Sequence, residues 1–420
     1  MKVLVHPDDA GILKKISIIG LFVLYNFNIY SQYIWWTTQT SGTTATLNSI
    51  YFTDSIHGYA VGDSGIILKT SNGGITWSPQ ASGTAVPLHS VYFTDSVTGT
   101  VVGDSGTILN TSNAGVNWTA QIAGINNYFY SVYFINSYIG YAVGFDSLGY
   151  GIILRTVNGG IKWSAQTNES TYGILSVYFT DANTGYAVDG NETILNTING
   201  GTTWSLQTCD STQVLQSICF TGADTGYAVG IDYTLSSGVI IKTTNGGTNW
   251  FSQTSGTSNY LWSVFFTDAN TGYIVGDEGS ILKTKNGGGS WISQPGGTTS
   301  SLRSVYFTGS TIGYAVGWNG VILKTTTGGE NAITSQPFNN QIIVAPNPSD
   351  GFISIDCAVC NQGYVVKIYN SDGTLLLTKE YLNNSTSVID LNNFIQGIYF
   401  VELIDNSTGQ VVYTDKLILK

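Results

Sequence analysis

The feature that most constrains this chain is a unit of 41 to 46 residues that returns seven times. Three anchors mark each copy. The first reads SIYF, SVYF, SVYF, SVYF, SICF, SVFF and SVYF, with its second residue at Ile50, Val91, Val132, Val177, Ile218, Val264 and Val305. The second is GYAVG or a variant of it, between Gly58 and Gly317. The third is a turn box, TSNGGITW in its first copy, beginning at Asn72, Asn113, Asn158, Asn199, Asn245, Asn286 and Thr327. A repeat of this period with four short strands per copy predicts a β-propeller, in which each copy is buried by its neighbours.

Each copy predicts the strands L-x-S-V-Y-F, G-Y-A-V-G, G-x-I-L-K-T and x-x-W-x-x-Q. Val, Ile, Tyr and Phe suit a pleated, buried surface. Asn72, Gly73 and Gly74 and their counterparts are expected to turn strand 3 into strand 4, because tight hairpins need positive φ. Trp77, Trp118, Trp163, Trp204, Trp250 and Trp291 supply a core residue to strand 4 in six copies, but the seventh has Ala332 there. Trp36-Thr37-Thr38-Gln39 lies before the first strand 1 and has the missing W-x-x-Q spacing. The N-terminal strand is therefore expected to complete blade 7 and protect the edges of the ring. The expected fold is all-β: a seven-bladed β-propeller over 32–337, closed by the N-terminal strand, then a small C-terminal β-sandwich. Over about residues 33–336 the repeat resembles the propeller family of photosystem II stability and assembly factors, related to sialidase-type Asp-box (BNR) repeats. That family's role in photosystem assembly is associated with arginine-rich patches, whereas this chain has only Arg155 and Arg303.

After a linker at 338–343, residues 344–420 show alternating strands with Asp-Gly and Gly turns, the pattern of a small sandwich. Pro346-Asn347-Pro348-x-x-Gly351, Ile368-Tyr369-x-x-x-Gly373, Gly397-Ile398-Tyr399-Phe400-Val401 and the terminal Lys416–Lys420 resemble the type A sorting domain of the type IX secretion system. The resemblance implies the type IX machinery as a partner. It also implies passage through the periplasm and a product that is secreted or attached to the outer surface. At the other end, Lys14 and Lys15 precede ISIIGLFVLY (16–25), and Ser31 follows. This reads as a signal peptide over 1–31, with 1–13 as an upstream extension. A membrane span needs about 20 apolar residues, and Asn26 and Asn28 interrupt this run. No span is expected in the mature chain.

Composition excludes several functions. A net charge of −11 with no basic stripe argues against nucleic acid. Sialidase chemistry holds a carboxylate with three arginines, and two cannot do so. Other glycoside hydrolysis needs two carboxyl groups about 5 to 9.5 Å apart. The loop candidates are Glu192, Asp277 and Glu278. Asp63, Asp104 and Asp277 also belong to a recurring G-D-x-G turn, where Asp is expected to stabilise the turn. The histidines are His6, His57 and His89, and no G-x-S-x-G or H-E-x-x-H occurs. No catalytic residue is assigned, and no metal or cofactor is expected. The Asp and Asn of the FTD and NGG turns are expected to cap hairpins, since their spacing is not that of a calcium loop. Among Cys209, Cys219, Cys357 and Cys360, the last two either bridge after export or stay as partly buried thiols. Cys219 takes a Tyr position and is expected in the core.

Up-and-down strands place the start of strand 1 and the strand 2–3 loops on one face. The strand 1–2 turns and NGG boxes share the other, which is monotonous. The first face varies. The x of L-x-S is Asn48, His89, Tyr130, Leu175, Gln216, Trp262 and Arg303 between near-constant neighbours. These include residue types common at binding hot spots. The longest strand 2–3 loops add Phe145, Tyr150 and Tyr233. The same residues also fit a tolerated rim around an unused channel. The expectation is a non-catalytic secreted or surface binding or scaffold propeller that recognises a glycan or protein with this face. The alternatives are a polysaccharide-acting glycoside hydrolase and a photosystem-assembly-factor-like chaperone.

Overall fold

Each of the first six repeats forms one four-stranded antiparallel sheet in the structure, a computed structural model, and the seventh supplies three strands of another. The structure describes residues 35–121, 127–191, 193–208, 213–234, 236–330, 342–345, 347, 349–357, 363–370, 373–382, 387–407, 409 and 411–420. In blade 1 the strands are Leu47–Phe52, Gly58–Gly62, Ile67–Thr70 and Ser78–Gln80, from the axis outwards. Leu47, Ile50 and Phe52 are buried within the blade, and strand 2 is buried along its whole length. The inner strand of each blade packs on that of the next, and blade 7 packs on blade 1. The chain is the all-β, seven-bladed propeller that its repeat implies.

The ring closes through the N-terminus. Thr37–Gln39 pairs with Ile322–Thr325 as the outer strand of blade 7, with Thr37 opposite Lys324. Trp36 is only 5% exposed and meets Phe307 edge-on, with ring centres 5.8 Å apart. Its indole N–H donates to Gln294 Oε1 of blade 6 at 3.2 Å.

The turn box is a clamp between blades. Asn72 Oδ1 accepts from Thr70 Oγ1 and Thr76 N, while Thr70 Oγ1 accepts from Gly74 N. Gly73 and Gly74 take φ of +65° and +84°, as the turn requires. This geometry points the Gly73 carbonyl at blade 7, where it accepts from Tyr314 Oη at 2.9 Å and Lys324 Nζ at 2.6 Å. Tyr227 with Lys242, and Tyr273 with Lys283, reach Gly287 and Gly328 in the same way. Trp77 packs between Leu47 and Phe52 of its own blade and Tyr314 and Ile322 of blade 7. Trp163 and Trp204 are buried at equivalent seams, and Trp118, Trp250 and Trp291 are half-buried there.

The C-terminal domain has a three-stranded sheet (Ile342–Ala345, Phe352–Cys357, Ser387–Asp390) and a four-stranded one (Leu375–Tyr381, Tyr364–Asn370, Gly397–Asp405, Val411–Leu419). Ile353, Ile355 and Ile389 from the first share a core with Val366, Tyr399, Val401 and Leu417 from the second. Asn347 holds the last strand: its Nδ2 donates to Lys416 O and its Oδ1 accepts from Ile418 N. Gly351 and Gly373 lie at φ +117° and +87°. Cys357 is disulfide-bonded, whereas Cys219 is a free, buried thiol whose pKa burial pushes up. The signal segment 1–31, Glu192, Cys209, Ala332, Pro346, Pro348, Cys360 and the linker up to 341 lie outside the described residues. Among the described residues no helix is long and apolar enough to cross a membrane.

Candidate functional site at the propeller axis

Strict alternation along strand 1 would put x on the same side as the Val of S-V-Y-F, inside the blade. A β-bulge prevents this in every blade. The register of strand 1 on strand 2 slips between Leu47 and Ser49, Leu88 and Ser90, Phe129 and Ser131, and Ile174 and Ser176. It slips likewise between Leu215 and Ser217, Leu261 and Ser263, and Leu302 and Ser304. Each slip brackets x, and a bulged residue is unpaired and re-aimed. The Gly that ends strand 2 makes room opposite: a Cβ on Gly62 would lie 1.9 Å from Thr46 O.

Thus Asn48, His89, Tyr130, Leu175, Gln216, Trp262 and Arg303 meet. They line one axial cavity of about 420 Å³ with Thr46, Asp63 and Trp318. The Arg303 guanidinium lies 3.6 Å from the ring centre of Trp262 and 5.3 Å from that of Trp318. Its Nε is buried without a hydrogen-bond partner. Burial pulls its pKa down, against the opposing fields of Asp277 and Asp63. Trp262 donates its indole N–H to Asp277 Oδ1 at 2.6 Å, and Asn48 Nδ2 donates to Asp63 Oδ1 at 3.0 Å. His89 Nε2 lies 2.7 Å from Asp104 Oδ1. The His89 ring stacks on Tyr130 with centres 4.5 Å apart, and Tyr130 stacks in turn on Phe145 at 5.4 Å. Burial, then the field of Asp104, pushes the Tyr130 hydroxyl pKa up.

The three aspartates depart from expectation. Their side chains do not brace the G-D-x-G turn. Backbone bonds do so, from Ile66 N to Asp63 O, Thr107 N to Asp104 O and Ser280 N to Asp277 O. The carboxylates reach back instead to the x residue of their own blade. In blade 7 Trp318 stands at this turn position, 46% exposed. That irregular copy of the turn was the sequence signal for a residue the pattern alone did not single out.

Phe145 joins the cavity wall through Tyr130. Tyr233 is exposed and meets Tyr260 edge-on at 5.8 Å, and Tyr260 tilts against Trp262 at 6.3 Å, so this pair extends the rim. Tyr150 lies on an exposed loop outside the lining. Glu278 belongs to a separate groove of about 760 Å³ on blade 6 and the connections that enter and leave it, lined otherwise by uncharged residues without aromatic rings. Glu278 lines this groove, whereas the neighbouring Asp277 turns its Oδ1 to Trp262 at the axial cavity.

On the opposite face, NGG boxes meet strand 1–2 turns, as in the bond from Gly73 N to Ile56 O. Asp181 and Asp268 cap those turns, accepting from the backbone N–H groups two and three residues ahead. These bonds hold both carboxyl pKa values below the usual range. Around the axis on this side, Tyr51, Tyr92, Tyr133, Tyr178 and Tyr306 each donate to the Phe carbonyl of the next blade. Their ring centres are as close as 4.9 Å, between Tyr51 and Tyr306. Phe265 and Cys219 take the two remaining positions of this layer.

The propeller matches the family described as photosynthesis system II assembly factor YCF48 over residues 29–175, 162–255 and 252–348. Residues 343–420 match the secretion system C-terminal sorting domain. No curated protein matches the chain. Among solved structures it is similar to YCF48 from Cyanidioschyzon merolae: 22% identity and TM-score 0.58, over 69% of this chain and 98% of that one. It is also similar to YCF48 bound to D1 peptide, at 20% identity and TM-score 0.59, over 70% and 97% of the two chains. The GH74 xyloglucanase from Xanthomonas campestris is 10% identical with TM-score 0.54, over 76% of this chain and 59% of that one. At these identities the structural likenesses show the fold alone.

Proposed function

This chain belongs to the photosynthesis system II assembly factor YCF48 family, joined to a secretion system C-terminal sorting domain, and from that premise we propose an exported, non-catalytic binding module whose axial cavity holds a glycan or a protein segment. The sorting domain marks the chain for secretion or the cell surface and implies the secretion machinery as a partner. One observation carries the binding reading. Seven bulges turn the most variable position of the repeat, once per blade, into a single cavity. Its volume falls within the range of about 300 to 1,000 Å³ usual for ligand sites. A non-catalytic role is supported by how the carboxylates are used: Asp63, Asp104 and Asp277 each hold a neighbouring side chain in place.

A protein segment is favoured by the likeness to YCF48 bound to D1 peptide. Against it, Arg303 is the single arginine lining the cavity; Arg155 lies on the third strand of blade 3, with its Nε donating to Tyr141 Oη at 3.1 Å. The test is to block the cavity. Gln216→Trp fills it from blade 5, and no hydrogen bond of the Gln216 side chain is lost among the described residues. Binding to immobilised polysaccharides and peptides is compared between the chain and this variant. Loss of binding with an unchanged melting temperature is expected. Undiminished binding would place the ligand elsewhere and overturn the reading.

A further inference from the structure

We propose that the axial cavity takes the terminal residue of a neutral saccharide chain, end-on. This rests on the cavity being the ligand site and adds the chemistry of the ligand. The polar groups left over in the cavity are of mixed kind. Arg303 Nε is a donor without an acceptor. Asp63 lines the cavity, and its Oδ2 is an acceptor beyond the bond made by Oδ1; Asp104 stands behind the lining, bonded to His89. Asn48 spends its Nδ2 on Asp63 and on Leu88 O and keeps its carbonyl oxygen.

A hydroxyl group both donates and accepts, so a polyol satisfies both sets at once. A carboxylate ligand would satisfy Arg303 but face Asp63 in the wall, with Asp104 and Asp277 behind His89 and Trp262, on a chain of net charge −11. An ammonium ligand would suit the aspartates but face Arg303, which already occupies the Trp262 ring face. The exposed Trp318 offers an aromatic surface beside these groups, and such rings stack on the apolar faces of sugars.

The shape supplies the direction of entry. The wall takes one residue from each of the seven blades, so it has no open side. Beneath it Tyr51, Tyr92, Tyr133, Tyr178 and Tyr306 with Phe265 line the axis, Cys219 taking the seventh position. A chain entering from the open mouth meets these rings end first.

The full chain is titrated by calorimetry with neutral gluco-, xylo- and manno-oligosaccharides, with an acidic oligogalacturonate, and with a peptide bearing a free C-terminal carboxylate. A neutral oligosaccharide is expected to bind with an affinity that added salt does not change. Trp318→Ala and, separately, Arg303→Gln should each weaken it by at least about tenfold. A bulky substituent on one chain end should abolish binding, while lengthening the other end should not matter. Binding of the acidic sugar or the peptide alone, lost in Gln216→Trp, overturns the neutral saccharide and keeps the cavity as the site. Neutral-sugar binding that tolerates substituents on both ends overturns end-on entry. Binding of any probe that survives Gln216→Trp, or binding of none, overturns both readings.

Discussion

Replacing Trp36 by Ala tests how the ring is held shut. The side chain is almost wholly buried, edge-on to Phe307 and bonded to Gln294. Truncating a buried Trp costs about 3–5 kcal/mol, a range that already includes such contacts. Domain stability is about 5–15 kcal/mol, so the loss is a large share of the total. Trp204, 2% exposed in blade 4, is the control of similar burial. Trp204→Ala should cost a similar amount by chemical denaturation. The two should differ in where the fold opens. The strand after Trp204 stays covalently tied between blades 4 and 5. The strand after Trp36 is held to blade 7 only by packing and by pairing with Ile322–Thr325. Hydrogen exchange followed by mass spectrometry should therefore show early opening of Thr37–Gln39 and Ile322–Thr325 in Trp36→Ala and not in Trp204→Ala. Equal protection of that seam in both variants, or a loss below about 1 kcal/mol for Trp36→Ala, would refute the closure argument.

Two further outcomes are expected. Gly62→Ala should destabilise by more than the about 1–3 kcal/mol of ordinary overpacking, because its Cβ would lie 1.9 Å from Thr46 O, whereas Gly309→Ala, with open space around it and no positive φ, should cost less; denaturant titration compares them. Acid should weaken the box-face turns. The Asp181 and Asp268 pKa values are lowered in the fold, first by backbone N–H bonds, so their stabilisation is complete above the unfolded value of about 4 and is lost as pH falls through the folded value. Asp181→Asn with Asp268→Asn should flatten the fall of the melting temperature below that pH, and an unchanged acid limb would count against this assignment.

Much of the fold was legible because a repeat states its own boundaries. The absent Trp in the seventh box and the displaced Trp36 identify the closing strand from the sequence alone. The role of the turn box was legible only in part. Asn-Gly-Gly predicts the hairpin from local φ preference, but the bonds from Tyr314 and Lys324 to Gly73 O join residues at opposite ends of the propeller. At the candidate site, variability at x singles out residues that share one cavity, while Trp318 and the aspartates carry no such signal. Their turn had a sufficient local explanation, which the structure shows the backbone alone fulfils.

The sequence by itself determined the number of blades, the way the ring closes and the sorting domain, because period, strand pattern and terminal motifs are properties of neighbouring residues. Only the tertiary structure decided what the variable residues do. Period-two alternation hides x inside the blade, and a one-residue bulge reverses its direction. No local pattern states that seven such reversals, 41 to 46 residues apart, converge on one axis and leave the Arg303 Nε buried there without a partner.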